Sequence, residues 1–393
     1  MRETKGQTIN KKATILKANP LDPVKITYSP GNKHKTSGRQ FQGISGIEVA
    51  PNGRLWATWY SGGKTEGPEN FALIVSSGDN GKSWGEPVAV IDTPGNVRAY
   101  DPTLWLDPLG RLWWFWAQSY SPEDGKIYDG RAGVWGVYTE NPSVEHPVFS
   151  SPVRIANGVM MNKPVALSSG EWALPTAVWE YSDPKLDELK RERFSNMTIS
   201  TDNGKSFRLQ GSADIPHRCF DEHMIVELKD GRLWMLVRTC YGIGQSFSAD
   251  KGKTWSFGEN SNIGGPNSRF FIRRLASGNL LLVNHTDISP AQAVELFKAG
   301  TPWRRRSYLT AFISDDDGKT WKGGLLFDER DAVSYPDGAQ DKNGVIRIIY
   351  DHERCKQGDI LMALFTEEDV MAGKCVSRAS NLKTLVNTTG GLK

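Results

Sequence analysis

The sequence predicts an all-β chain, a six-bladed β-propeller of four-stranded antiparallel blades. Two repeats carry that prediction. A Gly-centred phrase recurs six times at nearly even spacing, and a second phrase holding Asp and Gly recurs four times within the same period. Composition agrees: 14 Trp and 40 Gly in 393 residues suit many short strands joined by tight turns.

The first phrase reads Pro51-Asn-Gly-Arg-Leu-Trp56, Pro108-Leu-Gly-Arg-Leu-Trp113, Ser168-Ser-Gly-Glu-Trp172, Lys229-Asp-Gly-Arg-Leu-Trp234, Ala276-Ser-Gly-Asn-Leu-Leu281 and Lys342-Asn-Gly-Val-Ile346. Its glycines are 57, 60, 61, 47 and 66 residues apart. Apolar runs flank each one, as in a β-hairpin whose turn needs a residue with positive φ. Blades are expected near 40–90, 97–155, 160–210, 220–258, 266–325 and 333–368. A strand near Ala13 to Tyr28 is expected to complete the last blade. The domain then runs 13–375, between a flexible segment 1–12 and a C-terminal tail 376–393. Asp183 to Arg193 and Ser289 to Ala299 read as helical insertions between strands.

The second phrase, Ser-x-Asp-x-Gly-x-Ser/Thr-aromatic, falls at Ser77–Trp84, Ser200–Phe207, Ser248–Trp255 and Ser314–Trp321. Its Asp can accept from turn N–H groups, its Gly supplies a left-handed residue and its aromatic packs on the blade. These are Asp-box hairpins, and the role is structural.

Charge and cysteine content exclude several classes. Lys and Arg number 48 against 45 Asp and Glu, a net charge of +3. The nearest thing to a basic stripe is Arg304-Arg305-Arg306, too short for a nucleic-acid face. No apolar run is long enough to span a membrane. The four cysteines show no paired-ligand spacing, and the six histidines show no metal-ligand spacing. Neither a metal nor a cofactor is implied. The polar N-terminus reads as cytoplasmic, or as secreted or periplasmic if a leader has been removed. Oligomeric state is unspecified.

The four Asp boxes, over roughly residues 40 to 366, resemble the sialidases of the neuraminidase superfamily. Asp221-Glu222-His223 opens a blade and Arg238 closes its hairpin, sixteen residues after Glu222, as in the family phrase. Arg306-Ser-Tyr-Leu-Thr resembles the family's third-arginine phrase. Val333-Ser334-Tyr335 resembles the phrase carrying its nucleophile. The resemblance implies Tyr335 as nucleophile, Glu222 as its general base, and Arg238 and Arg306 as carboxylate binders. The family's first arginine is absent: Gly43 stands there, and Arg39 lies four residues earlier. The loop Ser61–Asn70 holds Glu66 and Glu69 where the family has an acid/base Asp, so Glu66 is the expected acid.

Other blade-start polar residues extend the list. His223, Asp101, Arg269 and Arg39 join the substrate-binding candidates, and Arg98, Asn162, Lys163 and Asn267 sit at similar positions. The resemblance implies an exo-acting retaining glycoside hydrolase on a terminal acidic sugar, sialic-acid-like or otherwise carboxylated. Its partner is a carbohydrate, an oligosaccharide or glycoconjugate. Two alternatives share the scaffold. One is a uronate-directed polysaccharide lyase or non-sialidase glycosidase leaning on His223, Tyr335 and the arginines. The other is a non-catalytic carbohydrate-binding propeller.

Overall fold

Every Gly phrase is the turn of a hairpin in the computed structural model, which describes residues 18–121, 131–179, 186–302 and 306–389. Gly53, Gly110, Gly170, Gly231, Gly278 and Gly344 all have φ between 80° and 96°. A Cβ at any of them would meet nothing within 4 Å, so backbone conformation and not space demands glycine.

The hairpins build six four-stranded antiparallel sheets. Blade 1 comprises Gln42–Val49, Leu55–Ser61, Phe71–Ser77 and Ala89–Ile91. Blade 2 comprises Val97–Leu106, Leu112–Tyr120, Gly133–Thr139 and Val153–Asn157. Blade 3 comprises Val165–Ala166, Trp172–Ala177, Ser195–Ser200 and Arg208–Ala213. Blade 4 comprises Met224–Glu227, Leu233–Thr239, Gly242–Ser248 and Glu259–Asn260. Blade 5 comprises Phe271–Arg274, Leu280–His285, Leu309–Ser314 and Lys322–Asp328. Blade 6 comprises Val333–Gln340, Ile346–His352, Asp359–Phe365 and Asn381–Thr388. The first strand of each blade is the innermost. Apolar side chains between neighbouring sheets form the core, with Trp56, Trp59, Trp113, Trp114, Trp116 and Trp172 almost wholly buried.

Ring closure differs from expectation. The outer strand of blade 6 is Asn381–Thr388, from the stretch expected to be a tail. The N-terminal segment instead lies against blades 1 and 2. Thr27 bridges Val90, and the Pro20 carbonyl accepts from Gln118 and Trp135. Prolines at 20 and 23 remove two ladder donors from that segment. Residues 1–12 and the start of the expected strand fall outside the described residues. Of the insertions, Pro290–Lys298 is an α-helix capped by Ser289, and Asp187–Glu192 is a 3₁₀ helix. Residues 183–185 of the latter expectation lie outside the described residues. No helix among the described residues is long and apolar enough to cross a membrane.

The Asp boxes close as their chemistry requires. Asp79 Oδ1 accepts from Ser83 N at 3.0 Å and Ser77 Oγ at 2.8 Å, and Asp202, Asp250 and Asp316 repeat the pattern. Each box glycine also presses on the preceding blade. A Cβ on Gly318 would lie 2.4 Å from Trp234, and one on Gly81 would lie 2.5 Å from Met362.

Three inner strands carry a bulge near their N-terminal end. The register shifts between Gly43 and Gly46, between Tyr100 and Thr103, and between Ser334 and Asp337. Each bulge holds a non-glycine residue in the left-handed region: Ile44 at φ 57°, Asp101 at φ 48° and Tyr335 at φ 55°. Such a residue costs on the order of 1–2 kcal/mol, more for β-branched Ile. Buried carboxylates hold two of the bulges. Asp351 accepts from Ile44 N at 2.9 Å and from the Ser334 hydroxyl, and Asp337 accepts from Ile47 N at 2.9 Å.

Candidate active site

The bulges turn Ile44, Asp101 and Tyr335 into one pocket at the mouth of the axis. Its volume is about 210 Å³, and Glu66, Arg98, Met161, Trp179, Phe220, Glu222, Arg238, Arg306 and Arg354 complete its lining. Ile44, Met161, Trp179 and Phe220 make one wall apolar. The remaining lining is ionisable.

Glu222 sits just before the inner strand of blade 4, after Phe220 and Asp221, both at positive φ. Asp221 accepts from Ser195 Oγ at 2.8 Å and pairs with Arg218 at 2.8 Å, fixing that turn. Glu222 Oε1 accepts from Arg238 Nη1 at 2.6 Å and from the Tyr335 hydroxyl at 3.1 Å. Arg238 Nη1 is also 3.3 Å from that hydroxyl. The second oxygen, Oε2, is buried with no hydrogen-bond partner among the described residues. Burial pulls the Arg238 pKa down, but Glu222 outweighs it and the net direction is upward. Asn267 orients the same guanidinium, accepting from Nε at 2.6 Å.

Two further guanidinium groups stand over the Tyr335 ring, Arg306 with its Cζ at 5.1 Å and Arg354 at 4.8 Å from the centroid. Arg354 pairs with Glu66 at 3.2 Å. Burial pushes the Glu66 carboxyl up, but Arg354 and Arg98 outweigh that and hold it below the usual range. Asp101 behaves oppositely. Burial pushes it to about 8; Arg98 opposes the rise, and Glu66 and Glu222 add to it. At neutral pH the pocket therefore holds an ionised Glu66 and a protonated Asp101.

Of the residues expected from sequence, Tyr335, Glu222, Glu66, Arg238, Arg306 and Asp101 line this pocket. Three others do not. Arg39 is buried elsewhere, donating to Thr36 and to Asn387 Oδ1 at 2.8 Å, because its chain segment runs along the outside of blade 1. His223 points away: its ring nitrogens lie 2.8 Å from the carbonyl oxygens of Asp221 and Asn196, and burial lowers its pKa. Arg269 lies deeper on the axis, bonded to Asn162 at 2.7 Å and paired with Asp337 at 3.2 Å. Asp337 also pairs with Lys163 at 3.1 Å, whose ammonium donates to the Ile47 and Leu104 carbonyls. That network ties the inner strands together beneath the pocket.

Arg354 was not among the residues expected from sequence. It lies two residues beyond the second strand of blade 6, ten residues after Gly344, whereas Arg238 lies within the second strand of blade 4, seven residues after Gly231. A larger cavity, about 320 Å³, opens at the opposite mouth between Trp105, Val165, Met224 and Phe271. It gathers no hydroxyl or phenol beside a carboxylate, so the chemistry is assigned to the smaller pocket. Among the described residues no cluster of His, Cys, Asp or Glu is arranged to hold a metal.

Residues 53–348 match the model of the BNR repeat-like domain. Solved structures of similar fold include a Hadza microbial sialidase, with 16% identity and a TM-score of 0.62, covering 82% of this chain and 65% of that one. The chain thus spans a little under two thirds of that protein's length. An intramolecular trans-sialidase from Ruminococcus gnavus matches at 14% identity and TM-score 0.62, covering 89% of this chain and 98% of that one. An α-L-arabinanase from Penicillium chrysogenum matches at 14% identity and TM-score 0.56, covering 87% and 100%. A search of curated protein sequences finds no match. Identities this low establish the fold alone.

Proposed function

Because the chain belongs to the BNR repeat-like domain family and has a sialidase-like propeller, we propose that it is a retaining glycoside hydrolase that releases a terminal carboxylated sugar. One observation carries the reading: the Tyr335 hydroxyl donates to Glu222 while Arg238 grips the same carboxylate oxygen. A phenol is a weak nucleophile until a base takes its proton, and Glu222 is the base in reach. A neutral nucleophile also avoids repelling the substrate's carboxylate.

In the first step the Tyr335 oxygen bonds to the anomeric carbon and the glycosidic C–O bond breaks. Glu222 takes the phenolic proton. Asp101 gives its proton to the leaving oxygen, a role suited to a carboxyl that remains protonated at neutral pH. In the second step water attacks the anomeric carbon, Asp101 takes the water's proton, and the released Tyr335 oxygen recovers its proton from Glu222. The acid role passes from Glu66, which Arg354 keeps ionised, to Asp101. Arg238 and Arg306 are assigned to the substrate carboxylate. A lyase using His223 as base loses support, since that ring does not reach the pocket.

Fluorogenic sialoside and glucuronide substrates at mildly acidic pH test the reading. Turnover is expected with one of them. Tyr335→Phe should lower kcat by roughly 10³-fold or more with the fold retained. A quenched reaction should show a sugar adduct on the peptide carrying Tyr335. An unsaturated product would indicate a lyase, and tight binding without turnover would indicate a non-catalytic propeller; either result overturns the proposal.

A further inference from the structure

We infer that Arg354 completes the anion-binding cluster with Arg238 and Arg306, entering from blade 6 through space left open by the glycine at position 43. The inference rests on reading the pocket as the site of a carboxylated sugar. Four features support it.

First, Arg354 Nη1 is buried and has no hydrogen-bond partner among the described residues. Leaving a charged donor unsatisfied is costly, and an acceptor arriving in the pocket removes that cost. Second, the same guanidinium is already aimed. Its Nη2 is held by Glu66 and its plane lies over Tyr335, so little rotamer freedom remains to be lost on binding. Third, a Cβ at Gly43 would lie 2.9 Å from both Cβ and Cδ of Arg354 and 2.9 Å from Asp351 Oδ2. Gly43 has no positive φ, so it is the packing of Arg354 and Asp351, not the backbone, that demands the missing side chain. Fourth, the lining holds four guanidinium groups against the two carboxylates Glu66 and Glu222, with Asp101 protonated. An excess of positive charge in a confined pocket favours an anionic ligand.

Glu66 then serves as a positioning residue, holding one edge of Arg354 and leaving the other to the ligand. Substrate recognition would thus depend on blades 4, 5 and 6 and on what blade 1 omits.

Calorimetric titration with N-acetylneuraminic acid, glucuronic acid and their carboxamides tests this. The wild type should prefer one acid over its amide by roughly 30-fold or more, the scale of a charge-assisted pair. Arg354→Ala should reduce that preference to a few fold, and Arg354→Lys should restore part of it. Gly43→Ala, which removes no charge, presses on both Arg354 and Asp351 and should weaken acid binding about 10-fold more than amide binding, because the new methyl displaces the guanidinium. If the wild type prefers neither acid, the reading of the pocket fails and the inference with it. If it prefers an acid and Arg354→Ala keeps the full preference, the function stands and the inference is overturned.

Discussion

Replacing Asp101 by Asn should flatten the pH dependence of stability between about pH 4 and pH 8. The Asp101 side chain is almost wholly buried, and its carboxyl is raised from 3.8 to about 8. A proton is therefore held more tightly in the folded protein than in the unfolded chain. The stabilisation this gives is fully present below 3.8 and is lost as the pH rises through about 8. At 1.36 kcal/mol per pH unit the whole interval corresponds to about 6 kcal/mol. Unfolding by urea, followed through tryptophan fluorescence, should show the wild type losing stability relative to Asp101→Asn by an amount of that order across the interval. The same proton should set an alkaline limb near pH 8 in kcat/KM. A difference between the two proteins that stays constant across the range would refute both the protonated state and the acid role built on it.

Three other substitutions probe the scaffold. Asp337→Ala strands Arg269 as a buried charge and leaves Lys163 only its pairing with Glu48 at 3.4 Å, and should cost about 3–5 kcal/mol in urea unfolding. Gly318→Ala combines a φ of 83° with a Cβ 2.4 Å from Trp234, and should cost roughly 2–4 kcal/mol. Gly110→Ala has a φ of 80° but open space, and should cost only about 1–2 kcal/mol by the same measurement. Equal costs for the two glycine variants would remove the argument that box glycines seal one blade against the next.

The blades were legible because the Gly phrase demands one backbone conformation wherever it occurs, and all six glycines adopt it. Glu222, Arg238, Arg306 and Tyr335, far apart in sequence, line one pocket because inner-strand starts and hairpin ends converge at the axis. Other features left no such trace. The last outer strand, Asn381–Thr388, is mostly exposed or half-buried, so it lacks the apolar alternation that marks a strand. Arg354 was missed because its significance lies in a contact with Gly43, more than three hundred residues away in the chain. Asp101 stood among the candidates as a binder; its proton depends on burial, which the residues around it in sequence do not reveal.

The bulges have a consequence for how such a ring changes its chemistry. At each one the strand carries an extra residue that its partner does not count, so the ladder below keeps its pairing whatever that residue is. Positions 44, 101 and 335 can thus be exchanged for other side chains while Asp337 and Lys163 go on tying the strands together. The residues free to vary are separated from those that hold the ring closed, and a family built this way can acquire a new substrate without first acquiring a new core.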